Sequence, residues 1–180
     1  SISAMKNGAT AVLALAMTLV ACAPAGDFDG EMPDFKATKD GAELEFGDTA
    51  NAVTFDVAHG VPVQWEVTVD KPERIDAPRK AKQTSEFICF PVTLTPVAVG
   101  RFPVDVTVAL PELVPIDASL NANLADPAYC GESTATGYTG DLKAGEPMET
   151  WVASWEGTAD PGIQGSGVEM TASDATVTWR

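Results

Sequence analysis

From Gly41 onward, apolar and polar residues alternate with a period of two, and prolines and glycines punctuate the runs. Successive side chains of an extended chain point to opposite faces, so this pattern predicts half-buried strands. VTFDV places Val53, Phe55 and Val57 on one face, with Thr54 and Asp56 opposite. VQWEVTV sets Val63, Trp65, Val67 and Val69 against Gln64, Glu66 and Thr68. PVDVTVAL alternates Val104, Val106 and Val108 with Asp105 and Thr107. Trp151, Ala153 and Trp155 alternate with Val152 and Ser154, and TVTW ends the series with Val177 and Trp179. FICFPVTLT is apolar on both faces apart from its threonines, which suits a central strand, with Pro91 marking an edge or a bulge. Short strands at this spacing, with turn residues between them, predict an all-β antiparallel sandwich.

Three segments interrupt the alternation. Lys71 to Glu86 (KPERIDAPRKAKQTSE) holds two prolines and Lys71, Arg74, Arg79, Lys80 and Lys82. It reads as a long exposed loop, preferred as merely solvated; Arg74, Arg79, Lys80 and Lys82 are the candidate contact for an acidic partner or lipid headgroup. Ile116 to Gly140 has room for one short helix around Ala118 to Leu124, followed by a loop tied down at Cys130. Gly162 to Gly167 (GIQGSG) is glycine-rich but lacks the lysine of a phosphate loop, and so reads as an inter-strand loop.

The N-terminal part follows different rules. Met5-Lys6-Asn7 precedes GATAVLALAMTLVA, giving one positive charge, a short apolar run and a small-residue end. That layout is a secretory signal, and the run falls short of the roughly 20 residues a membrane-crossing helix needs. Residues 1–4 fit no targeting pattern. Leu19-Val20-Ala21-Cys22 resembles the lipobox of bacterial lipoproteins. The resemblance implies cleavage before Cys22, a diacylglyceryl group on its thiol, and an acyl chain on its new amine in some cases. Two chains anchor stably where one does not, because each buried CH₂ contributes about 0.8 kcal/mol. The competing readings are an uncleaved signal anchor and a plain signal peptide ending near a cysteine. The expected organisation is a signal over 1–21 (5–21 proper), a lipidated end with an acidic Pro/Gly tether over 22–40, and a sandwich domain over 41–180.

Charge and cysteine count sharpen this picture. The chain carries a net charge of −15, and removing the signal takes away Lys6 and no acid, leaving −16. Such a surface repels nucleic acid and anionic headgroups. With Cys22 assigned to lipid, Cys89 and Cys130 remain, and an oxidising compartment favours their pairing over two separate buried thiols.

Catalytic signals are sparse. His59 is the one histidine, beside a glycine in a predicted turn, so neither an imidazole metal site nor a Ser-His-Asp array is indicated. Met32, Met148 and Met170 show no clustered spacing with His59. Asp27, Asp29 and Glu31 lack the later ligand positions of a calcium loop. No cofactor or metal is expected. Four tryptophans lie on predicted strands, chiefly as core; an exposed one would mark a binding face.

A lipobox, an acidic tether and one domain of alternating strands resemble small lipoproteins of high-GC Gram-positive bacteria. LKAGEPMETWVASWEG is similar to the late turn and aromatic strand of telokin-like lipoprotein domains of unknown function, at Leu142, Gly145, Glu146, Trp151 and Trp155. The resemblance covers roughly the second half of the chain and implies an immunoglobulin-like sandwich without known catalytic residues. The expected role is a non-catalytic binding or interaction protein, lipid-anchored on the extracytoplasmic side of the cell membrane. The alternatives are an accessory subunit docked on the outer face of a respiratory or transport complex, and a small-ligand- or metal-binding lipoprotein. An enzyme is the least favoured class.

Overall fold

The computed structural model describes residues 26–28, 34–56, 58–75, 87–116, 126–155, 167–173 and 175–180. Among these residues ten strands run in chain order: β1 (Gly26–Phe28), β2 (Ala42–Leu44), β3 (Thr49–Asp56), β4 (Val61–Val69), β5 (Glu73–Ile75), β6 (Phe87–Gly100), β7 (Glu112–Ile116), β8 (Met148–Trp155), β9 (Gly167–Ala172) and β10 (Ala175–Trp179). One sheet holds β1, β3, β4, β5, β6 and β8; the other has the order β2-β10-β9-β7. Trp65, Val67, Phe90 and Leu94 of the first sheet share a buried core with Val168, Met170, Val177 and Trp179 of the second. The chain is therefore an all-β sandwich. Its long pairings are antiparallel, and only β1 with β6 and β2 with β10 are parallel.

The 14-residue β6 is the axis of the first sheet. It pairs with β5 and β4 along one edge and with β8 and β1 along the other. Its two prolines sit where neighbours change. The Pro91 carbonyl accepts from the Asp70 amide at 2.9 Å, so its nitrogen faces the same edge, between the end of β5 pairing at Cys89 and the start of β4 pairing at Val92. The Pro96 carbonyl accepts from Gly145 at 2.7 Å on the opposite edge, between β8 pairing, which ends at Leu94, and β1 pairing, which starts at Ala98. Each missing N–H thus falls in a gap of the ladder, which is how a central strand tolerates proline. Pro96 also sits beside a register shift opposite Gln64/Trp65.

Three expectations need correction. In β3 the buried positions are Ala50, Ala52 and Thr54, while Phe55 is 46% exposed, the reverse of the expected face. The parity follows β4: Ala52 lies opposite Trp65 in register and so shares its inward face, where a small side chain leaves room for the indole. Val57 lies outside the described residues. The segment around Val104 to Val108 is not a regular strand. It crosses between the sheets, bracketed by Pro103 and Pro111, and makes one isolated bridge, Thr107 with Tyr138. Val108 is buried there, but Val104 is 61% exposed. Finally, the basic segment is not loop throughout, because Glu73–Ile75 adds to β6 as β5.

Contacts with the domain begin before residue 41. Gly26–Phe28 pairs with Ala98–Gly100, Thr38 exchanges hydrogen bonds with the Asn51 backbone, and Asn51 Nδ2 donates to the Lys36 carbonyl.

Candidate functional site

Alternation along β6 sends Ile88, Phe90, Val92 and Leu94 into the core, so Cys89 faces outward from the sandwich, yet it is buried. What covers it is the segment from Asp126. Asp-Pro before a short helical turn is a capping sequence. Asp126 Oδ1 accepts from the Ala128 amide at 3.0 Å, and Pro127–Tyr129 form one 3₁₀ turn. Cys130 follows and is bonded to Cys89, with Cα atoms 5.7 Å apart. Residues beyond it run along β8: Thr134 N–H donates to the Glu149 carbonyl, Glu149 N–H returns to Thr134 Oγ1, and Ser133 Oγ donates to Thr150 Oγ1 at 3.0 Å.

Trp151 lies in register with Pro91, on the same outward face as Cys89. It is half-buried, and the passing chain is pressed against its indole. A Cβ at Gly131 would stand 2.6 Å from Trp151 Nε1, so any larger residue there would displace the indole. Between the 3₁₀ turn and β8 opens a cleft of about 470 Å³, lined by Asp126, Pro127, Glu132, Ser133, Thr150 and Trp151 among others. That size suits a small ligand or one projecting side chain. The Ser133 and Thr150 hydroxyls bond to each other, and the indole N–H end lies under Gly131. The lining also offers the Asp126 and Glu132 carboxylates and an aromatic surface. The site therefore favours a group that donates hydrogen bonds and carries positive charge.

A smaller opening of about 210 Å³ lies between β3 and β9/β10, lined mainly by Ala52, Val53, Met170, Ala172 and Val177. Its lining is largely apolar.

The other sequence candidates fall elsewhere. Arg74 sits on β5, and Cys22, Arg79, Lys80 and Lys82 lie outside the described residues, as does the helix expected around Ala118 to Leu124. Trp65 and Trp179 are core residues. Leu142 to Glu146 forms a turn before β8, with Gly145 at a φ of 81° that favours glycine. Among the described residues no group of three or more His, Cys, Asp or Glu is placed to hold a metal ion, and no helix is long and apolar enough to cross a membrane.

His59 occupies the turn between β3 and β4, and its Nδ1 is hydrogen-bonded to the Asp56 carboxylate. That bond, supported by the Ala58 amide, holds Asp56 below its ordinary value of 3.8. An aspartate depressed in the folded state binds fewer protons folded than unfolded, so its stabilisation is complete above the ordinary value and is lost as pH falls through the lower one. Asp56→Asn is expected to lower the urea midpoint modestly at neutral pH and not at pH below the carboxylate range. Equal losses at both would show that the turn, not the charge, matters.

The cleft was not legible beforehand, because Asp126, Glu132 and Trp151 are brought together by long-range contacts, the Cys89–Cys130 bond and the hydrogen bonds of Ser133 and Thr134 to β8. The available signal was local: Asp-Pro at a capping position a few residues before Cys130. No family model matches the chain, and neither does any curated protein or solved structure.

Proposed function

We propose that this chain is a non-catalytic binding protein of the bacterial cell envelope, held on the extracytoplasmic side of the membrane by lipid on Cys22, and that its ligand seats in the Trp151 cleft. The observation that carries the binding role is that cleft, with a half-buried indole and two carboxylates along a segment pinned by a disulfide. Its rigidity favours recognition, since a preformed site loses little entropy on binding. The address rests on the LVAC boundary, and a disulfide agrees with an exported chain.

Cys22→Ala is expected to leave the sandwich folded and shift it from washed membranes to the soluble fraction. Retention of the variant on membranes would end the anchor reading. A mild-detergent pull-down of the native chain and of Trp151→Ala then tests the binding role. A partner captured by the native chain and lost with Trp151→Ala supports it; capture indifferent to Trp151 removes the cleft from the account. Recovery of integral membrane subunits in fixed ratio identifies an accessory subunit.

A further inference from the structure

We propose that β1 is a latch that seats the sandwich directly on the bilayer surface, with its β1/β6 edge toward the lipid. This rests on the Cys22 anchor proposed above. The sequence alone reads residues 22–40 as a free tether. The structure instead pairs Gly26, Asp27 and Phe28 with Ala98, Val99 and Gly100. The Arg101 amide closes the pairing by donating to the Phe28 carbonyl at 3.1 Å. Phe28 is half-buried, and its ring meets β6 at a residue without a side chain. A Cβ at Gly100 would lie 3.5 Å from Phe28 Cζ and only 2.4 Å from Val61 Cγ1.

Chain length makes this pairing consequential. Cys22 and Gly26 are four residues apart, which spans at most about 14 Å fully extended. Without β1, the nearest fixed point would be Lys36, whose carbonyl accepts from Asn51 Nδ2. The fourteen residues from Cys22 to Lys36 reach about 50 Å. The difference decides where the domain sits. Its charge drives it from an anionic surface, and that repulsion fades over a Debye length of about 8 Å at physiological salt. A long tether lets the domain drift about six Debye lengths away; a latched one holds it within about two. The residues in between, Cys22-Ala-Pro-Ala, carry no charge.

The test uses the mature chain from Cys22, whose thiol is the one left once Cys89 and Cys130 are bonded. Coupling that thiol to a maleimide lipid in a supported phosphatidylcholine bilayer fixes the anchor chemically. Neutron reflectometry then reads the water gap between headgroups and protein. The expected gap is under about 15 Å for the native chain. In Asp27→Pro/Phe28→Ser it should open to about 20 Å on average, the r.m.s. reach of a flexible fourteen-residue tether, with excursions toward the limit of about 50 Å. The same variant should exchange its Arg101 amide at least about tenfold faster while amides of β4 and β9 stay protected, showing that the sandwich persists. A wide gap in the native chain overturns the latch, and so does a narrow gap unchanged in the variant. Because the lipid is attached by chemistry, the gap judges the latch while Cys22→Ala fractionation judges the anchor.

Discussion

Replacing Cys89 with alanine and Cys130 with serine is expected to lower the unfolding free energy by about 4 kcal/mol and to dismantle the cleft beside Trp151. The figure comes from the loop the bond closes. The two cysteines are 41 residues apart, and cross-linking a loop of that length removes about that much entropy from the unfolded chain. The substitutions follow the burial: Cys89 is buried and calls for an apolar replacement, whereas Cys130 is half-exposed and accepts a hydroxyl. Local contacts do little to replace the bond. The 3₁₀ turn at Pro127–Tyr129 buries none of its residues, and the contacts of the segment with β8 include the Ser133–Thr134 hydrogen bonds and the Gly131–Trp151 contact, all near the surface. Once the link is cut, that cover should lift and Trp151 should meet water. Guanidinium unfolding measures the stability, and the red shift of tryptophan emission at zero denaturant measures the uncovering. A loss below about 1 kcal/mol with unshifted emission would show that the segment holds itself in place.

That link also shows what the sequence could and could not disclose. Two cysteines remaining after Cys22 pointed to their pairing by count and compartment alone. What they bring together was hidden, because the contact of Gly131 with Trp151 spans 20 positions and has no periodic signature. The strands divide on similar lines. The β4 face was legible because Val63, Trp65, Val67 and Val69 are all large, so any partner must bury them. The β3 face was not. Val53 and Phe55 look like the inward set, yet they yield to Ala50 and Ala52, whose small size matters only once Trp65 stands opposite. Val104 to Val108 has perfect alternation but, among the described residues, only the short isolated bridge at Tyr138 beside it. Alternation reports the capacity to be half-buried, and a ladder also needs a neighbour. The latch was the least legible, since Gly26–Phe28 lies in an acidic Pro/Gly stretch and its pairing depends on an open edge of β6.

Trp65→Ala is expected to cost about 4 kcal/mol, near the upper end for a single side chain. Trp65 is fully buried at the centre of the first sheet, and alanine would leave a cavity lined by residues already held by two sheets. Its one polar atom is also accounted for, since Nε1 donates to Thr54 Oγ1 at 2.8 Å. This bond explains why a threonine occupies a buried position where the alternation expected a polar, outward one. Thr54→Val keeps the shape but strands the indole N–H, at a cost of about 1–3 kcal/mol. Trp65→Phe strands the Thr54 hydroxyl and loses part of the ring volume. Combining Trp65→Phe with Thr54→Val removes both unpaired groups at once. The pair should therefore cost less than the sum of the singles by about 1 kcal/mol or more. Urea unfolding of the four proteins reads the cycle directly. Strict additivity would mean that the bond does not contribute, leaving the volume of the indole as the whole reason for Trp65 and making Thr54 incidental to the face that β3 turns inward.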